Sequence, residues 1–229
     1  MRRSLIDVRR LATNTHIREA TIPTEIGRLT NLITLALTRC GIYGDIPTQI
    51  GSNLKNLAVL SLLGNRLKGP FPNSLTSLTK LETIHLANNE FFGPISREQW
   101  AFLGRTEDAP INRNRFTGRL PDDIGKLFLS TTTVFDVEGN QFSGTIPSSL
   151  GHLRQLSLLD LSDNLFTGFI PANLTAQTLS LQRNNFSGSV PESVCKAIAG
   201  KGGDIIYSCD GELSCTCSCT CDFDEDFGE

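Results

Sequence analysis

The stretch that decides the fold is LRQLSLLDLSDNLFTGFIP, residues 153–171. Its central Leu-Asp-Leu triplet, residues 159–161, predicts a short strand whose two leucines point to one face and whose aspartate points to the other. Asn164 follows, and its side-chain amide can donate to and accept from backbone groups that have no ladder partner. Gly168 permits a conformation that a Cβ penalises, and Pro171 fixes φ where the chain folds back. A unit this short cannot bury its own leucines, so copies of it must stack.

The same pattern recurs along the chain at intervals of 24 to 26 residues, with a shorter last copy near Asn173. The full copies begin at Leu29, Leu54, Leu78, Leu103, Leu129 and Leu153. The asparagine position holds Cys40 in the first copy and then Asn65, Asn89, Asn114, Asn140, Asn164 and Asn184. The glycine position holds Gly44, Gly69, Gly93, Gly118, Gly144, Gly168 and Gly188. This recurrence predicts about seven stacked copies of one structural unit.

The full signature, L-x-x-L-x-x-L-x-L-x-x-N-x-L/F-x-G-x-I-P-x-x-L/I-G, is completed by Ser148–Gly151 and Thr48–Gly51. It resembles the plant-type class of leucine-rich repeats. Similar arrays form the ectodomains of plant receptor-like kinases and receptor-like proteins, and the polygalacturonase-inhibiting proteins. An array that ends in a Cys-rich segment is also similar to leucine-rich-repeat proteins of diatoms and related algae, although their adjacent Cys-Cys pairs are replaced here by Cys-x-Cys.

The repeats and the resemblance predict an α/β fold, namely a right-handed leucine-rich-repeat solenoid or horseshoe with a parallel concave β-sheet. The convex side is expected to be mostly 3₁₀ helix and loop. We expect a degenerate N-terminal repeat at 1–28, the repeat array at 29–194, a Cys-rich C-terminal cap at 195–221 and an acidic tail at 222–229.

Three local features qualify this prediction. Trp100 and Phe102 lie in a predicted short helical turn capped by Ser96, and they either cover the core or form an exposed anchor for a partner. Pro110 lies in a predicted strand and removes a ladder donor, so the sheet should be loosest there. One position of the later repeats is always aromatic and predicts a buried column of Phe116, Phe142, Phe166 and Phe186.

Charge and hydropathy exclude several classes of protein. The net charge of −3 and the lack of a Lys/Arg block give no argument for nucleic acid or for a polybasic membrane patch. No run approaches 18 apolar residues, so no transmembrane helix is predicted. The first twelve residues carry positive charge but lack the apolar core of a signal peptide, so either the protein is intracellular or its natural start is missing.

The cysteines indicate an oxidising compartment or a metal, because six of the seven lie after residue 194. We therefore predict an extracellular or cell-surface protein with a truncated N-terminus. Disulfides that cap the last repeat are the first interpretation of this segment, and a thiolate site for zinc or copper(I) is the second. The disulfide candidates are Cys195, Cys209, Cys215, Cys217, Cys219 and Cys221. Cys40, by contrast, fits a buried reduced residue better than a reactive thiol.

Two sequences, Asn173-Leu-Thr and Asn185-Phe-Ser, are acceptors for N-linked glycans if the protein is secreted.

The residues that alternate with the core leucines are predicted to line the concave face. Neighbouring strands lie about 4.8 Å apart, so four carboxylates should be close together there. We call these four, Asp136, Glu138, Asp160 and Asp163, the acidic patch. The other candidate ligand-binding residues are His85, Arg113 and Arg183. The alternative is that Leu-Asp-Leu is ordinary repeat consensus and that the face is only solvated.

No enzyme is predicted, because the three histidines lie in different repeats and no nucleophile or phosphate-binding motif accompanies them. No metal and no cofactor are predicted either. The expected function is recognition of a protein or carbohydrate ligand, with a membrane co-receptor as a candidate partner. A secreted inhibitor of a cell-wall-degrading hydrolase and an intracellular scaffold are the alternatives.

Overall fold

The computed structural model describes residues 8–14, 20–208, 213–215 and 220–222. The chain divides into two compact units, Met1–Asn114 and Arg115–Glu229, here called the N-terminal unit and the C-terminal unit. Each unit contains two parallel sheets, a major sheet and a minor sheet, with short helices between successive strands. The predicted leucine-rich-repeat fold with a parallel sheet is confirmed.

The N-terminal unit contains seven strands and four short helices in its described part. The strands are β1 (Arg10–Thr13), β2 (Thr34–Leu37), β3 (Tyr43–Gly44), β4 (Val59–Ser61), β5 (Arg66–Gly69), β6 (Thr83–His85) and β7 (Glu90–Pro94). The helices are α1 (Thr48–Asn53), α2 (Arg97–Leu103) and the 3₁₀ helices Thr24–Arg28 and Asn73–Ser77. The major sheet has the order β1-β2-β4-β6, and the minor sheet has the order β3-β5-β7.

The C-terminal unit follows the same plan. Its strands are β8 (Arg115–Arg119), β9 (Val134–Asp136), β10 (Gln141–Gly144), β11 (Leu158–Asp160), β12 (Leu165–Gly168), β13 (Thr178–Ser180), β14 (Asn185–Phe186), β15 (Gly188–Ser189), β16 (Asp204–Ser208), β17 (Leu213–Ser214) and β18 (Thr220–Asp222). Its helices are α3 (Ile124–Leu127), the 3₁₀ helix Ser148–His152 and α4 (Glu192–Ala199). The major sheet is β9-β11-β13-β16-β18, the minor sheet is β8-β10-β12-β14, and β15 pairs with β17.

Alternation along each strand decides which side chains enter the core. Leu159 and Leu161 are fully buried, whereas Leu158 and Asp160 are half-exposed on the other face of the sheet. Burying each leucine stabilises the fold by about 1.5–3 kcal/mol. The residues between the leucines are therefore held at fixed spacing on a solvent-facing surface.

The asparagines connect each repeat to the preceding one. Asn164 Nδ2 donates to the carbonyls of Val137 and Ser162, both at 2.9 Å, and its Oδ1 accepts from the Phe142 amide at 2.9 Å. Asn140 and Asn184 accept in the same way from the amides of the phenylalanines one repeat earlier. Each buried side chain thus satisfies backbone groups of two repeats, which is the function predicted from the sequence.

The predicted aromatic column is present in the C-terminal unit. Ring centroids of Phe116 and Phe142 are 6.4 Å apart, those of Phe142 and Phe166 are 6.5 Å apart, and those of Phe166 and Phe186 are 6.3 Å apart. The planes are nearly parallel, at 17°, 18° and 5°. All four rings are buried, so the column belongs to the core.

Trp100 and Phe102 lie in α2 and are each only 1% exposed. The helix begins at a Ser96 cap, where the Ser96 hydroxyl accepts from the Gln99 amide and the Gln99 side chain accepts from the Ser96 amide. The interpretation of these aromatic residues as core cover is confirmed, and the interpretation as an exposed anchor is wrong.

The region around Pro110 forms no strand of its own. Its only described ladder contact with β6 is a single bridge between Thr83 and Asp108. The carbonyl of Pro110 accepts from the Leu86 amide at 3.0 Å, but proline has no N–H to return a bond.

The Cys-rich segment does not simply follow the repeats. The predicted boundary between residues 194 and 195 falls inside α4, because Val194, Cys195 and Ile198 are buried on one side of that helix. β16 and β18, which belong to this segment, then extend the major sheet in parallel register with β13.

The longest helix in the described residues, α4, has eight residues. None of the helices described is long and apolar enough to cross a membrane.

Candidate functional site

The seven candidate ligand-binding residues divide between the two units. His85 and Arg113 belong to the N-terminal unit, whereas Arg183 and the acidic patch belong to the C-terminal unit. The acidic patch therefore lies entirely within the C-terminal unit.

Asp136 and Asp160 are register partners at the ends of β9 and β11. Each carboxylate is held by the residue two positions later: Asp136 Oδ1 accepts from the Glu138 amide at 2.9 Å, and Asp160 Oδ1 accepts from the Ser162 amide at 3.0 Å. Because neighbouring strands are about 4.8 Å apart, the sheet fixes two like charges side by side.

Asp160 lies in surroundings that disfavour its charge. Burial raises the pKa of its carboxyl, and the negative charge of Glu138 raises it further. Hydrogen bonds from Ser162 and Ser180 lower the pKa but do not cancel the effect of burial. A positively charged group placed against Asp160 would favour the ionised form.

Asp163 forms an ion pair with Arg183. Nε of Arg183 lies 2.5 Å from Asp163 Oδ1, and Nη2 lies 3.0 Å from Oδ2. Both residues have left-handed backbone conformations, with φ of 53° and 51°, in the turn before the ladder asparagine. The charge of Asp163 is therefore compensated by Arg183 within the chain.

An apolar row lies beside these carboxylates and was not among the predicted site residues. Val134 and Leu158 are register partners two residues before Asp136 and Asp160, so they share the same face. Val134 is 51% exposed, and Leu158 is half-buried. The signal in the sequence was the alternation itself, which places Val134 and Leu158 on the solvent-facing side.

In the N-terminal unit, Nε2 of His85 lies 2.7 Å from Oδ2 of Asp108, a contact between residues one repeat apart. The side chains are 28% and 63% exposed. Arg113 is exposed and has the same left-handed conformation as Arg183, with φ of 54°. The pairing of His85 with Asp108 was not among the sequence predictions.

The comparisons with known proteins agree with this architecture. A family model, Leucine Rich Repeat, matches residues 131–153, 155–176 and 175–197. The chain is 34% identical over 177 residues to Receptor-like protein 39 of Arabidopsis thaliana, an alignment that covers 75% of this chain and 17% of that protein. The chain is a plant-type leucine-rich-repeat protein.

Solved structures extend this result to three dimensions. The leucine-rich-repeat ectodomain of the Arabidopsis thaliana receptor kinase GASSHO1/SCHENGEN3, in complex with Casparian strip integrity factor 2, is 31% identical with a TM-score of 0.73. That match covers 85% of this chain and 23% of the other. The Arabidopsis receptor kinase HAESA, in complex with the peptide hormone IDA and the co-receptor SERK1, is 26% identical with a TM-score of 0.61, and the match covers 87% and 42% of the two chains.

This leucine-rich-repeat protein spans less than a fifth of the length of Receptor-like protein 39. The acidic patch lies within two of the repeats that the family model recognises. Its carboxylates alternate with or follow the buried residues Phe135, Val137, Leu159 and Leu161.

The cysteines of this leucine-rich-repeat protein are only partly described. Cys195 and Cys215 are disulfide-bonded, whereas Cys40 is a free thiol with no exposed surface, and burial raises its pKa. Cys209, Cys217 and Cys219 lie outside the described residues, and only the backbone of Cys221 is described. Among the residues that the structure describes, no group of three His, Cys, Asp or Glu side chains is placed to hold a metal ion.

Proposed function

We propose that this chain is a recognition module that binds a protein or peptide ligand on the major sheet of its C-terminal unit. The observation that carries the proposal is the paired register of β9 and β11, which aligns Asp136 with Asp160 and Val134 with Leu158. A negatively charged row and an apolar row thus run side by side across the strands.

These two rows fit an extended segment with basic and apolar side chains. A Lys or Arg side chain would lie against Asp136 and Asp160, and a neighbouring apolar side chain would cover Val134. The raised pKa of Asp160 supports this choice of ligand, because a basic group relieves the unfavourable charge. A sugar can donate hydrogen bonds to Asp160 but supplies no positive charge, so it would offset less of that cost.

The solved relatives support a peptide ligand and a second protein partner. The HAESA structure contains a peptide hormone and a co-receptor, and this chain has the same fold over most of its length. We propose that this chain also acts with a membrane co-receptor, as the receptor-like part of a larger assembly.

An extracellular or cell-surface location accompanies this function. Cys195 and Cys215 are disulfide-bonded, and structural disulfides persist in oxidising compartments. The related GASSHO1/SCHENGEN3 structure is of an ectodomain. Both observations favour a receptor-like protein over an intracellular scaffold.

Selection from a display library of random peptides tests the proposal. We expect the selected peptides to be enriched in Lys or Arg and in apolar residues, and their Kd to weaken as salt is raised. Asp136→Lys should weaken binding at least tenfold, about 1.4 kcal/mol, because it places a positive charge beside Asp160.

Asp122→Lys is the matched control, because it makes the same change of charge at an exposed residue that precedes α3 and lies off the major sheet. This variant should bind the selected peptides as tightly as the parent chain. Peptides without basic enrichment, or equal losses in both variants, would refute the proposal. Binding to an oligosaccharide array with no peptide selected would favour a carbohydrate ligand instead.

A further inference from the structure

The minor sheet of the C-terminal unit exposes two large apolar side chains on one face of β12 and the turn after it. Leu165 is 53% exposed and Phe169 is 73% exposed, whereas Phe166 between them is fully buried. Leu165 and Thr167 lie in β12 on the side opposite Phe166. Phe169 follows Gly168, whose φ is 79°, and its ring lies beside Gly188. These two exposed apolar groups in one repeat are available for contact with a covering group.

Asn185 lies on the strand next to this face. It is exposed, and it is the register partner of Thr167 on the neighbouring strand β14. Leu165, two residues before Thr167, is a diagonal neighbour of Asn185 in this parallel pair, about 8 Å away by strand spacing and rise. Phe169 reaches the same repeat as Asn185, because its ring lies beside Gly188.

We propose that Asn185 carries an N-linked glycan and that its first sugars lie over Leu165 and Phe169. Asn185-Phe186-Ser187 is an acceptor sequence for such a glycan. The C–H face of the first sugar packs against the aliphatic and aromatic groups, and its hydroxyl groups face water. The exposed pair then becomes part of a small, covered hydrophobic contact.

The modification requires a co-reactant of known chemical class, a lipid-diphosphate-linked oligosaccharide. Nδ2 of Asn185 bonds to C1 of the first sugar, the bond between C1 and the diphosphate oxygen breaks, and Nδ2 loses one proton. No electrons are transferred to or from an external redox partner.

The other acceptor sequence, Asn173-Leu174-Thr175, is placed differently. Asn173 Nδ2 donates to the Ser148 carbonyl at 2.8 Å, and a Cβ added to Gly151 would come within 2.3 Å of that nitrogen. The amide that would receive the sugar therefore faces the preceding repeat. The Thr175 hydroxyl is also buried, with no hydrogen-bond partner among the described residues. A glycan on Asn173 would separate two stacked repeats, so we infer that only Asn185 is modified.

The surroundings of Asn185 are consistent with passage through a secretory compartment. β15, which follows the acceptor sequence directly, pairs with β17, and β17 is followed by the disulfide-bonded Cys215. Disulfides and N-linked glycans are acquired in the same oxidising compartment. β14 is also the last strand of the minor sheet in the described residues, and a glycan there would shield its open edge from pairing with another chain.

Peptide mapping of the full chain, secreted from a eukaryotic host behind a cleavable leader, tests the site. Trypsin separates the two acceptors, because Asn173 falls in the peptide 155–183 and Asn185 in the peptide 184–196. We expect a glycan on peptide 184–196, its loss in Ser187→Ala, and none on peptide 155–183. An unmodified peptide 184–196, or a glycan on Asn173, would overturn the proposal.

A second measurement tests the contact with Leu165 and Phe169. An endoglycosidase leaves one sugar on the asparagine, whereas an amidase removes the whole glycan. The melting temperature should be unchanged by the first treatment and should fall by about 2–4 °C after the second. In Phe169→Ser the fall should be much smaller, because the sugar has lost its aromatic partner. Equal falls of the melting temperature in the parent protein and in Phe169→Ser, or no fall in either, would contradict the covering contact. Peptide mapping alone decides whether Asn185 is modified.

Discussion

At the scale of single residues, the positions between the buried leucines differ in how far the structure constrains them. Asp163 is paired with Arg183 at 2.5 Å, so its charge is compensated within the chain. Asp160 is partly buried beside Glu138, and its pKa is raised for that reason. Two aspartates three residues apart therefore have different functions. Asp160 is a ligand contact in our proposal, whereas Asp163 is part of an internal ion pair.

The raised pKa of Asp160 makes stability depend on pH. The carboxyl ionises less readily in the folded state than in the unfolded state, so its ionised form lowers the free energy of unfolding. This cost is fully present above the folded pKa. It disappears as pH falls below 3.8, the ordinary pKa of the group. Asp160→Asn, which keeps an acceptor for Ser162, should raise the melting temperature at pH 7. The gain should vanish below pH 3.8. Asp122→Asn, at an exposed position, serves as the control, and a lower melting temperature for Asp160→Asn at pH 7 would contradict the prediction.

Asn164 is a second residue whose effect can be measured alone. Asn164→Ala removes two donated bonds and leaves the buried Phe142 amide without its acceptor. Each unsatisfied buried group costs about 1–3 kcal/mol, so we expect a loss of about 3 kcal/mol in denaturant unfolding. Gln141→Ala, at an exposed position of β10, should change stability by less than about 0.5 kcal/mol. Similar losses in the two variants would show that the asparagine is not the link between repeats.

At the scale of elements, successive short helices pack closely because glycines, which have no side chain, lie between them. α3 packs against the 3₁₀ helix Ser148–His152, and a Cβ on Gly125 would lie 1.8 Å from the Ser149 carbonyl oxygen. The Ser149 oxygen belongs to the backbone, so it cannot rotate away as the end of a side chain could. This close approach explains why the repeat signature ends in glycine after its Leu or Ile.

Gly125→Ala should therefore destabilise the C-terminal unit by about 3 kcal/mol, the range of overpacked cores. Gly200→Ala is the matched control, because Gly200 follows α4 with φ of −63°, which alanine adopts easily, and its nearest contact is 3.1 Å away. Thermal unfolding followed by circular dichroism measures both. A near-neutral Gly125→Ala would mean that the helices can move apart at little cost.

At the scale of the whole molecule, the cysteines decide which chemistry stabilises the C-terminal end. Alkylation in denaturant without reductant should label Cys40 and leave Cys195 and Cys215 unlabelled, as mass spectrometry of digested protein can establish. In the folded protein even Cys40 should react slowly, because it has no exposed surface and burial raises its pKa. Labelling of Cys195 before reduction, together with a bound metal, would support the thiolate metal site instead.

The repeat itself could be predicted from the sequence because every part of it is local. The leucine spacing, the asparagine and the glycine each act within a few residues or on the adjacent copy, so the parallel sheets, the Phe column and the cover formed by Trp100 and Phe102 were all predictable. The extension of the major sheet by β16 and β18 was not, because the Cys-rich segment has no repeat pattern to indicate a strand.

The sequence alone determined the fold and the set of side chains on the exposed face of the sheet. Only the tertiary structure decided which of those side chains pair, because the partners lie one repeat apart: Asp163 with Arg183, 20 residues later, and His85 with Asp108, 23 residues later. It also decided that Asp160 is partly buried and that Asn173, although exposed like Asn185, donates its amide to the neighbouring repeat. The physical reason is that stacking register, rather than local propensity, sets the distance between polar groups of different repeats.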